Sequence, residues 1–249
     1  MFILVKILSI GNSFSEDAHK YIKEIADNAN VETKVVNLMI GGCSLERHAK
    51  NINENLKDYH YQLYCQYTGE VVTCESVISE DNWDIVTIQQ VSNFSGKFDT
   101  FEPYIATVLD FVKKHLPNAE IYLQKTWAYE IDSTHPAFEL YNKSQEQMYN
   151  DIVNTYDMCS KKYNLPVIPT GDVIQTLRSI PFFDYKNGGT SLNRDGFHLS
   201  LDYGRYAASA AWCETLLGID VTKTTFKPEG TDQKVIEEIR NVVHKICNK

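Results

Sequence analysis

Short apolar runs alternate with amphipathic segments along most of the chain. Apolar residues recur at helical spacing between runs that are rich in Ile, Leu and Val. The predicted strands are Ile3–Ile10, Lys34–Ile40, Ile85–Gln89, Ile121–Thr126 and Val167–Thr170. The predicted helices are Glu16–Ala29, Leu45–Leu56, Pro103–Leu116, Phe138–Tyr163, Asp172–Arg178, Leu199–Leu217 and Asp232–Cys247. This alternation predicts an α/β fold with a parallel sheet of about five strands and helices on both faces.

One segment interrupts the alternation. Tyr59–Ile78 has apolar and polar residues at alternate positions around Thr68-Gly69-Glu70, which predicts a β-hairpin inserted after the second helix. The segment 180–194, with its Pro and Gly residues, is the best loop candidate. With 249 residues, 43% of them hydrophobic, the chain is expected to form a single domain over 1–249, ending in a helix at about 231–249.

The charge balance argues against a nucleic-acid partner. The net charge is −9, and the lysine pairs Lys113-Lys114 and Lys161-Lys162 stand near predicted helix ends, where cations are favourable anyway. No segment approaches the length of a membrane span, and the run Phe2–Val5 indicates a buried strand and not a signal peptide. We therefore expect a cytoplasmic protein as numbered, or a periplasmic or secreted one if a signal peptide has been removed.

The cysteines and histidines do not form a metal motif. The six cysteines lack C-x-x-C spacing, so reduced thiols are expected, although Cys65 and Cys74 could face each other across the hairpin. Six histidines lie in polar or helical surroundings and are expected at the surface: His19, His48, His60, His115, His135 and His244. The sequence predicts no metal site.

Polar residues and glycines follow the ends of four predicted strands. Ser13 follows the first strand, Gly41-Gly42 the second, Gln89-Gln90 the third and Thr126-Trp127 the fourth. Because the carboxyl ends of parallel strands meet at one edge of a sheet, these residues are expected to converge there.

Ser13 is a candidate nucleophile at a strand-to-helix turn. The same residue begins Ser13-Phe14-Ser15-Glu16, an S-x-x-E capping box, so it could equally be a helix cap. Asp195 and His198 stand three residues apart, a spacing that suits a base and the acid that orients it, although Asp195-Gly196 could simply be a turn. Together the three residues would suffice for acyl transfer.

Three further features are candidates for binding a developing negative charge. Glycines such as Gly41 and Gly42 allow a backbone N–H to approach a ligand, or they form a tight turn. The side-chain amide of Gln90, or that of Asn93, could donate from the next strand end, unless that segment, with Ser92, is only a polar loop.

The order of these motifs resembles the SGNH hydrolase superfamily, also called the GDSL esterases and lipases, and in particular an uncharacterised gut-bacterial branch. The resemblance rests on Gly11-Asn12-Ser13-Phe14-Ser15, Gly41-Gly42 and Asp195-Gly196-Phe197-His198, and it spans nearly the whole chain. The chain departs from the superfamily in two places: Asn12 replaces the usual Asp, and the G-x-N-D block, which supplies an oxyanion donor, is missing.

The resemblance implies a three-layer α/β/α sandwich with a flavodoxin-like sheet. It also implies a cofactor-free serine esterase in which Ser13 attacks, His198 is the base and Asp195 orients it. The oxyanion hole would comprise the N–H groups of Ser13 and Gly42 and the side chain of Gln90, with Asn93 as the alternative.

The implied substrate is a small-molecule or carbohydrate ester with a small acyl group such as acetyl. Trp127 and Tyr129, with Trp83, are aromatic side chains that could stack on a sugar or belong to the core. The alternatives are a non-catalytic glycan-binding or interaction protein with the same fold, motivated by the missing block, and a lipase or thioesterase for longer acyl chains.

Overall fold

The computed structural model describes residues 4–248, and seven strands form one sheet within them. Three residues of these predictions lie outside the described range. They are Phe2 and Ile3, in the apolar run and first strand, and Lys249, at the end of the predicted C-terminal helix. The strands are β1 (Leu4–Gly11), β2 (Glu32–Met39), β3 (Tyr59–Leu63), β4 (Gln66–Val72), β5 (Ile85–Ile88), β6 (Glu120–Gln124) and β7 (Val167–Ile168).

The sheet is mixed, in the order β4-β3-β2-β1-β5-β6-β7. The five strands β2, β1, β5, β6 and β7 pair in parallel, in the order that a flavodoxin-like sheet has. The hairpin β3–β4 adds two antiparallel strands to the edge at β2. The α/β prediction is therefore confirmed, and the sheet is larger than the five strands predicted because the hairpin joins it.

Apart from α6, the helices of the described residues pack in two groups. Helix α8 contacts α1, α2, α7 and α9, whereas α3 contacts α4 and α5. Their bounds are α1 (Ser13–His19), α2 (Ile22–Asn28), α3 (Leu45–Asn53), α4 (Cys74–Ile78), α5 (Tyr104–His115), α6 (Gln145–Tyr163), α7 (Thr170–Leu177), α8 (Tyr203–Leu217) and α9 (Gln233–Cys247). No helix within residues 4–248 is both long and apolar enough to cross a membrane.

Two predicted helices are each divided in the structure, at a point where a serine side chain bonds to the backbone. The helix predicted over 16–29 is two helices, because the Ser209 hydroxyl of α8 donates to Ala18 O and accepts from Tyr21 N at 2.8 and 3.0 Å. The helix predicted over 138–163 is a short 3₁₀ helix (Pro136–Tyr141) followed by α6, which begins after the capping residue Ser144.

Two other boundaries were wrong. Residues 74–78 of the predicted hairpin form α4, whose first turn is capped by Thr73. The helix predicted from Leu199 begins only at Tyr203, because Leu199 forms a β-bridge with Asn193. All six cysteines are free thiols, so Cys65 and Cys74 are not bridged.

A buried carboxylate fastens α1 to the segment 194–199. Asp17 is fully buried on α1 and accepts hydrogen bonds from Arg194 Nη1 at 2.9 Å, Arg205 Nε at 2.8 Å and the backbone N–H of Leu199 at 2.8 Å. A charge removed from water is tolerated only when its partners replace the lost hydration, and here two guanidinium groups and an amide do so. Asp17 thereby holds a distant part of the chain against the start of α1.

We predict that Asp17→Asn lowers the free energy of unfolding by about 3–5 kcal/mol, the usual cost of breaking a buried ion pair. Asp27→Asn is the matched control, because Asp27 pairs with Lys23 at 2.6 Å on the exposed face of α2. It should cost less than about 1 kcal/mol. Urea unfolding of both variants tests this, and equal losses would show that Asp17 has no special role.

Two buried histidines predict acid sensitivity of the fold. Burial lowers the pKa of His19 to about 3, and burial, with a smaller effect of Arg47, lowers that of His48 to about 3. In the unfolded chain these histidines are protonated near pH 6.5, whereas in the folded protein they are protonated only near pH 3. Their contribution to stability is therefore complete above about pH 6.5 and falls as the pH drops toward 3. Each histidine adds up to about 1.4 kcal/mol per pH unit to this loss.

We expect His48→Asn to show a smaller loss of stability between about pH 7 and pH 5 than the unmodified protein, since it removes one of the two sites. An asparagine can still accept from Tyr59, whose hydroxyl lies 3.1 Å from His48 Nδ1. His60→Asn, at an exposed position, is the matched control for the loss of a histidine side chain. Urea unfolding at both pH values measures the difference, and identical slopes for all three proteins would exclude His48 as a cause.

Candidate active site

Ser13 is the first residue of α1, immediately after β1. The helix cap is Asn12, whose side-chain oxygen accepts from Phe14 N at 3.0 Å. The capping-box interpretation, in which Ser13 would be the cap, is therefore wrong. The Ser13 hydroxyl is free for another partner.

That partner is His198. Ser13 Oγ lies 2.9 Å from His198 Nε2, and His198 Nδ1 lies 2.7 Å from Asp195 Oδ2. Three side chains from opposite ends of the chain thus form one continuous line of hydrogen bonds. In the tautomer that satisfies both contacts, Nδ1–H donates to the carboxylate and Nε2 accepts from the serine hydroxyl.

The carboxylate of Asp195 is held in its ionised form. Partial burial raises its pKa, but the hydrogen bonds from the His198 ring and from the backbone N–H groups of His198 and Phe197 outweigh this, so the pKa lies below the ordinary value. The backbone bonds to Asp195 Oδ1 measure 2.8 and 3.2 Å. An ionised acid at Nδ1 fixes the tautomer and stabilises a positive imidazole.

The turn at Asp195-Gly196 makes this geometry possible. Gly196 has φ +85°, and a Cβ there would lie 3.0 Å from Ser133 Oγ and 3.1 Å from its Cα. Gly196 O accepts from Glu130 N at 2.8 Å, which ties the turn to the segment after β6. The turn and the acid–imidazole pair, which the sequence offered as alternatives, are thus both present.

Ser13 and His198 face a pocket of about 340 Å³ at the carboxyl ends of the parallel strands. Residues that follow four different strands contribute to it, so the predicted convergence at one sheet edge holds for Ser13, Gly41 and Gly42. The lining residues are Asn12, Ser13, Phe14, Gly41, Gly42, Val91, Ser92, Asn93, His135, Phe197 and His198.

Two backbone N–H groups and one side-chain amide border this pocket as possible donors. Gly42 has φ +62°, a conformation that glycine adopts freely, and a Cβ there would meet no atom within 4 Å. Ser13 N is at the start of α1, where a helix leaves N–H groups without an internal acceptor. The side-chain amide of Asn93 has no hydrogen-bond partner within residues 4–248, and Asn93 is half-buried.

Gln90, the predicted side-chain donor, is used elsewhere. Its Nε2 donates to Thr100 O at 2.9 Å and Thr100 Oγ1 at 3.2 Å, and its Oε1 accepts from Leu45 N and Val91 N, both at 2.9 Å. Gln90 is only 1% exposed and does not line the pocket. Its assignment to an oxyanion hole was wrong, because its amide is committed to holding the loop after β5 against the start of α3.

The predicted sugar-stacking aromatics belong to the core. Trp127 is fully buried, stacks on Phe14 with ring centroids 4.0 Å apart and donates to Phe197 O at 2.7 Å. Tyr129 is also fully buried, with its hydroxyl 2.9 Å from Ser92 Oγ. Trp83 is 3% exposed and donates to Val77 O. None can stack on a ligand, so the alternative interpretation as core residues is correct.

The pocket also contains two residues that the sequence analysis missed. Phe197 lies within the D-x-x-H motif, and its ring lies 4.0 Å from that of His198. His135, expected at the surface, is half-buried in the pocket wall. Its position in the segment between β6 and α6 was the available signal, since the segments that follow strands border ligand sites in parallel sheets.

Within residues 4–248, one group of side chains has the spacing of metal ligands. Atoms of Glu214, Asp220 and His244 lie within 4.8 Å of one another, and none of these residues lines the pocket. Their atoms are already paired: His244 Nδ1 lies 2.6 Å from Glu214 Oε1, and Lys223 Nζ lies 2.9 Å from Asp220 Oδ2. The arrangement satisfies these charges internally and carries no assignment as a metal site.

Cys43, beside Gly42, is not a competing nucleophile. It is fully buried, and burial raises the pKa of its thiol to about 12. The thiolate is the reactive form, so a thiol with this pKa is inert near neutral pH.

The model of the DUF4886 family, a domain of unknown function, matches residues 6–246. A crystal structure of a DUF4886 family protein from Bacteroides uniformis superposes with a TM-score of 0.90 at 31% identity, covering 98% of this chain and 94% of that one. Comparison with curated proteins found no match.

Solved structures of SGNH and GDSL proteins share the fold at lower identity. A member of the lipolytic G-D-S-L family from Veillonella parvula has a TM-score of 0.54 at 11% identity, covering 87% of this chain and all of that one. A mutant of Axe2, an acetylxylan esterase from Geobacillus stearothermophilus, has a TM-score of 0.51 at 14% identity, covering 86% and 95%. The chain therefore belongs to the DUF4886 family and has the fold of the SGNH hydrolases.

Proposed function

We propose that the protein is a serine esterase of the SGNH type that removes small acyl groups, such as acetyl, from a carbohydrate or similar polar ester. The observation that carries the proposal is the hydrogen-bonded line from Ser13 through His198 to Asp195, which opens into a pocket. A nucleophile, a base and an acid that orients the base, in this mutual geometry, are the arrangement that acyl transfer needs.

In the first half of the reaction, Ser13 Oγ attacks the ester carbonyl carbon while His198 Nε2 takes its proton. Asp195 stabilises the imidazolium that results, because its carboxylate accepts from Nδ1 at 2.7 Å. His198 then returns the proton to the leaving alcohol, and the acyl group stays on Ser13. In the second half, water attacks the acyl-serine with His198 again acting as base, which releases the acid and restores the free hydroxyl.

The negative oxygen of the tetrahedral intermediate needs fixed donors. We assign this role to the backbone N–H groups of Ser13 and Gly42 and to the side-chain amide of Asn93, all of which border the pocket. Such donors are most effective when they are positioned before the reaction, because no reorganisation is then needed at the transition state. Asn93 thus takes the place first given to Gln90.

The pocket supports a small substrate group. Its volume of about 340 Å³ is at the lower end of the range for ligand sites. A long acyl chain needs a large apolar groove, whereas this pocket is bordered by Asn12, Ser92, Asn93 and His135 along with its apolar residues. The size and polarity favour a short acyl group over the lipase or thioesterase alternative.

Ser13→Ala should lower kcat for p-nitrophenyl acetate by at least about 10³-fold, because it removes the attacking atom. The fold should persist, since within residues 4–248 the Ser13 hydroxyl forms a hydrogen bond only with His198. Ser76→Ala, at an exposed position on α4, is the matched control and should retain full activity. Covalent labelling by a fluorophosphonate probe gives a second measurement, which should detect the unmodified protein and Ser76→Ala but not Ser13→Ala.

Activity that survives in Ser13→Ala would remove this serine from the mechanism. If the unmodified protein shows neither hydrolysis nor labelling, this result would instead support the alternative of a non-catalytic glycan-binding protein with this fold.

Asn93→Ala should lower kcat by about 10²–10³-fold, the usual loss for one oxyanion donor, with the free energy of unfolding little changed. Gln90→Ala is the contrasting variant: it should mainly destabilise the fold, because it leaves the Leu45 and Val91 N–H groups without their acceptor. Kinetics and urea unfolding of both variants separate the two roles. A rate loss in Gln90→Ala with unchanged stability would restore Gln90 as the donor.

A further inference from the structure

His135 occupies the pocket wall on the side of His198. Its ring packs between those of Tyr129 and Phe197, with centroids 4.9 and 4.8 Å away, and Phe197 in turn lies against His198. The mechanism above leaves His135 without a role. A half-buried imidazole in the wall of the pocket that Ser13 also lines is nevertheless a polar group available to a bound substrate.

The proton on the His135 ring is fixed by a backbone contact. Its Nδ1 accepts from the N–H of Ala137 at 3.2 Å, which caps the 3₁₀ helix 136–141. A nitrogen that accepts carries no hydrogen, so the neutral ring holds its proton on Nε2. Burial, and to a lesser extent the charge of His198, lower the pKa of His135, with Asp195 opposing them, so the ring is neutral near pH 7. No residue within 4–248 accepts this Nε2–H.

The position of His135 indicates which part of a substrate it meets. Gly42 follows β2 and His135 follows β6, and in the sheet β1 and β5 lie between these two strands. The oxyanion donors proposed here include Gly42, so the carbonyl oxygen points toward that side. The leaving alcohol must be near His198, which protonates it, and this is the side where Phe197 and His135 pack together.

We propose that the Nε2–H of His135 donates a hydrogen bond to an oxygen of the leaving alcohol and so makes the site selective for esters of sugars or polyols. In such esters the carbon next to the one that bears the ester carries an oxygen, which a simple alkyl ester lacks. This proposal rests on the esterase function proposed above. His135 would then determine specificity for the alcohol, whereas the pocket size limits the acyl group.

Two acetate esters of matched length test the selectivity. 2-Methoxyethyl acetate and butyl acetate differ only in an oxygen that replaces one methylene of the leaving alcohol. We compare the ratio of kcat/KM for 2-methoxyethyl acetate to kcat/KM for butyl acetate. This ratio should be about fivefold higher in the unmodified protein than in a variant without the histidine donor, because one neutral hydrogen bond contributes about that factor.

Two substitutions separate the donor from the helix cap. His135→Asn keeps an acceptor where Nδ1 stands, so the contact with Ala137 persists, but it removes the Nε2–H. His135→Gln places an amide donor near the position of Nε2 and loses the cap. We expect His135→Asn to lose the fivefold preference, measured as the ratio of the two kcat/KM values, and His135→Gln to recover most of it.

The outcomes distinguish this proposal from the function on which it rests. An unchanged ratio of the two kcat/KM values in His135→Asn, or equal losses on both esters in both variants, would overturn the role of His135 and leave the esterase proposal standing. Failure of the unmodified protein to hydrolyse either ester or p-nitrophenyl acetate would overturn the esterase proposal, and the role of His135 with it.

Discussion

The carboxylate of Asp17 is the interaction on which the candidate site depends. Ser13 and His198 are 185 residues apart in the chain, yet their contact requires a separation of 2.9 Å. Asp17 lies one turn after Ser13 on α1, and it binds Arg194 and the N–H of Leu199, which flank the segment 195–198. Because the acceptor is buried and its donors are charged or fixed backbone groups, each contact is strong and directional. The serine and the imidazole therefore face each other as a consequence of the fold.

A second set of buried polar contacts fixes the position of Ser13 through the preceding residue, Asn12. Asn12 donates to Cys43 O at 3.1 Å and accepts from Gln89, which also accepts from Ser15 at 3.0 Å. These bonds join the carboxyl ends of β1, β2 and β5, the three strands next to the pocket. Buried polar groups are costly unless they are paired, so this network both requires and enforces one arrangement of the strand ends. An asparagine serves in it where the superfamily usually has an aspartate.

The sequence predicted the features that depend on local pattern. Periodicity predicted the five parallel strands. The order of the motifs predicted that Ser13, Asp195 and His198 lie at one site, because strand ends converge in a parallel sheet. It failed where a distant partner decides the outcome. Gln90 has the chemistry of an oxyanion donor, but Thr100 and Leu45 occupy its amide. Similarly, Ser209 bonds to the backbone between α1 and α2, where the local sequence favours one continuous helix. Nothing in that local sequence indicates the contact with Ser209.

The pocket divides into two parts with different origins, and this bears on how its specificity can vary. The side proposed to hold the carbonyl oxygen has two backbone donors, the N–H groups of Ser13 and Gly42, which exist whatever the side chains are, besides the side-chain amide of Asn93. The opposite side depends on side chains of the segment after β6, where His135 is held by Tyr129, Phe197 and Ala137. Backbone donors fix the chemistry, whereas a loop held by packing can exchange its polar groups without disturbing the reacting atoms. Differences in the alcohol that related proteins accept should therefore arise from this loop.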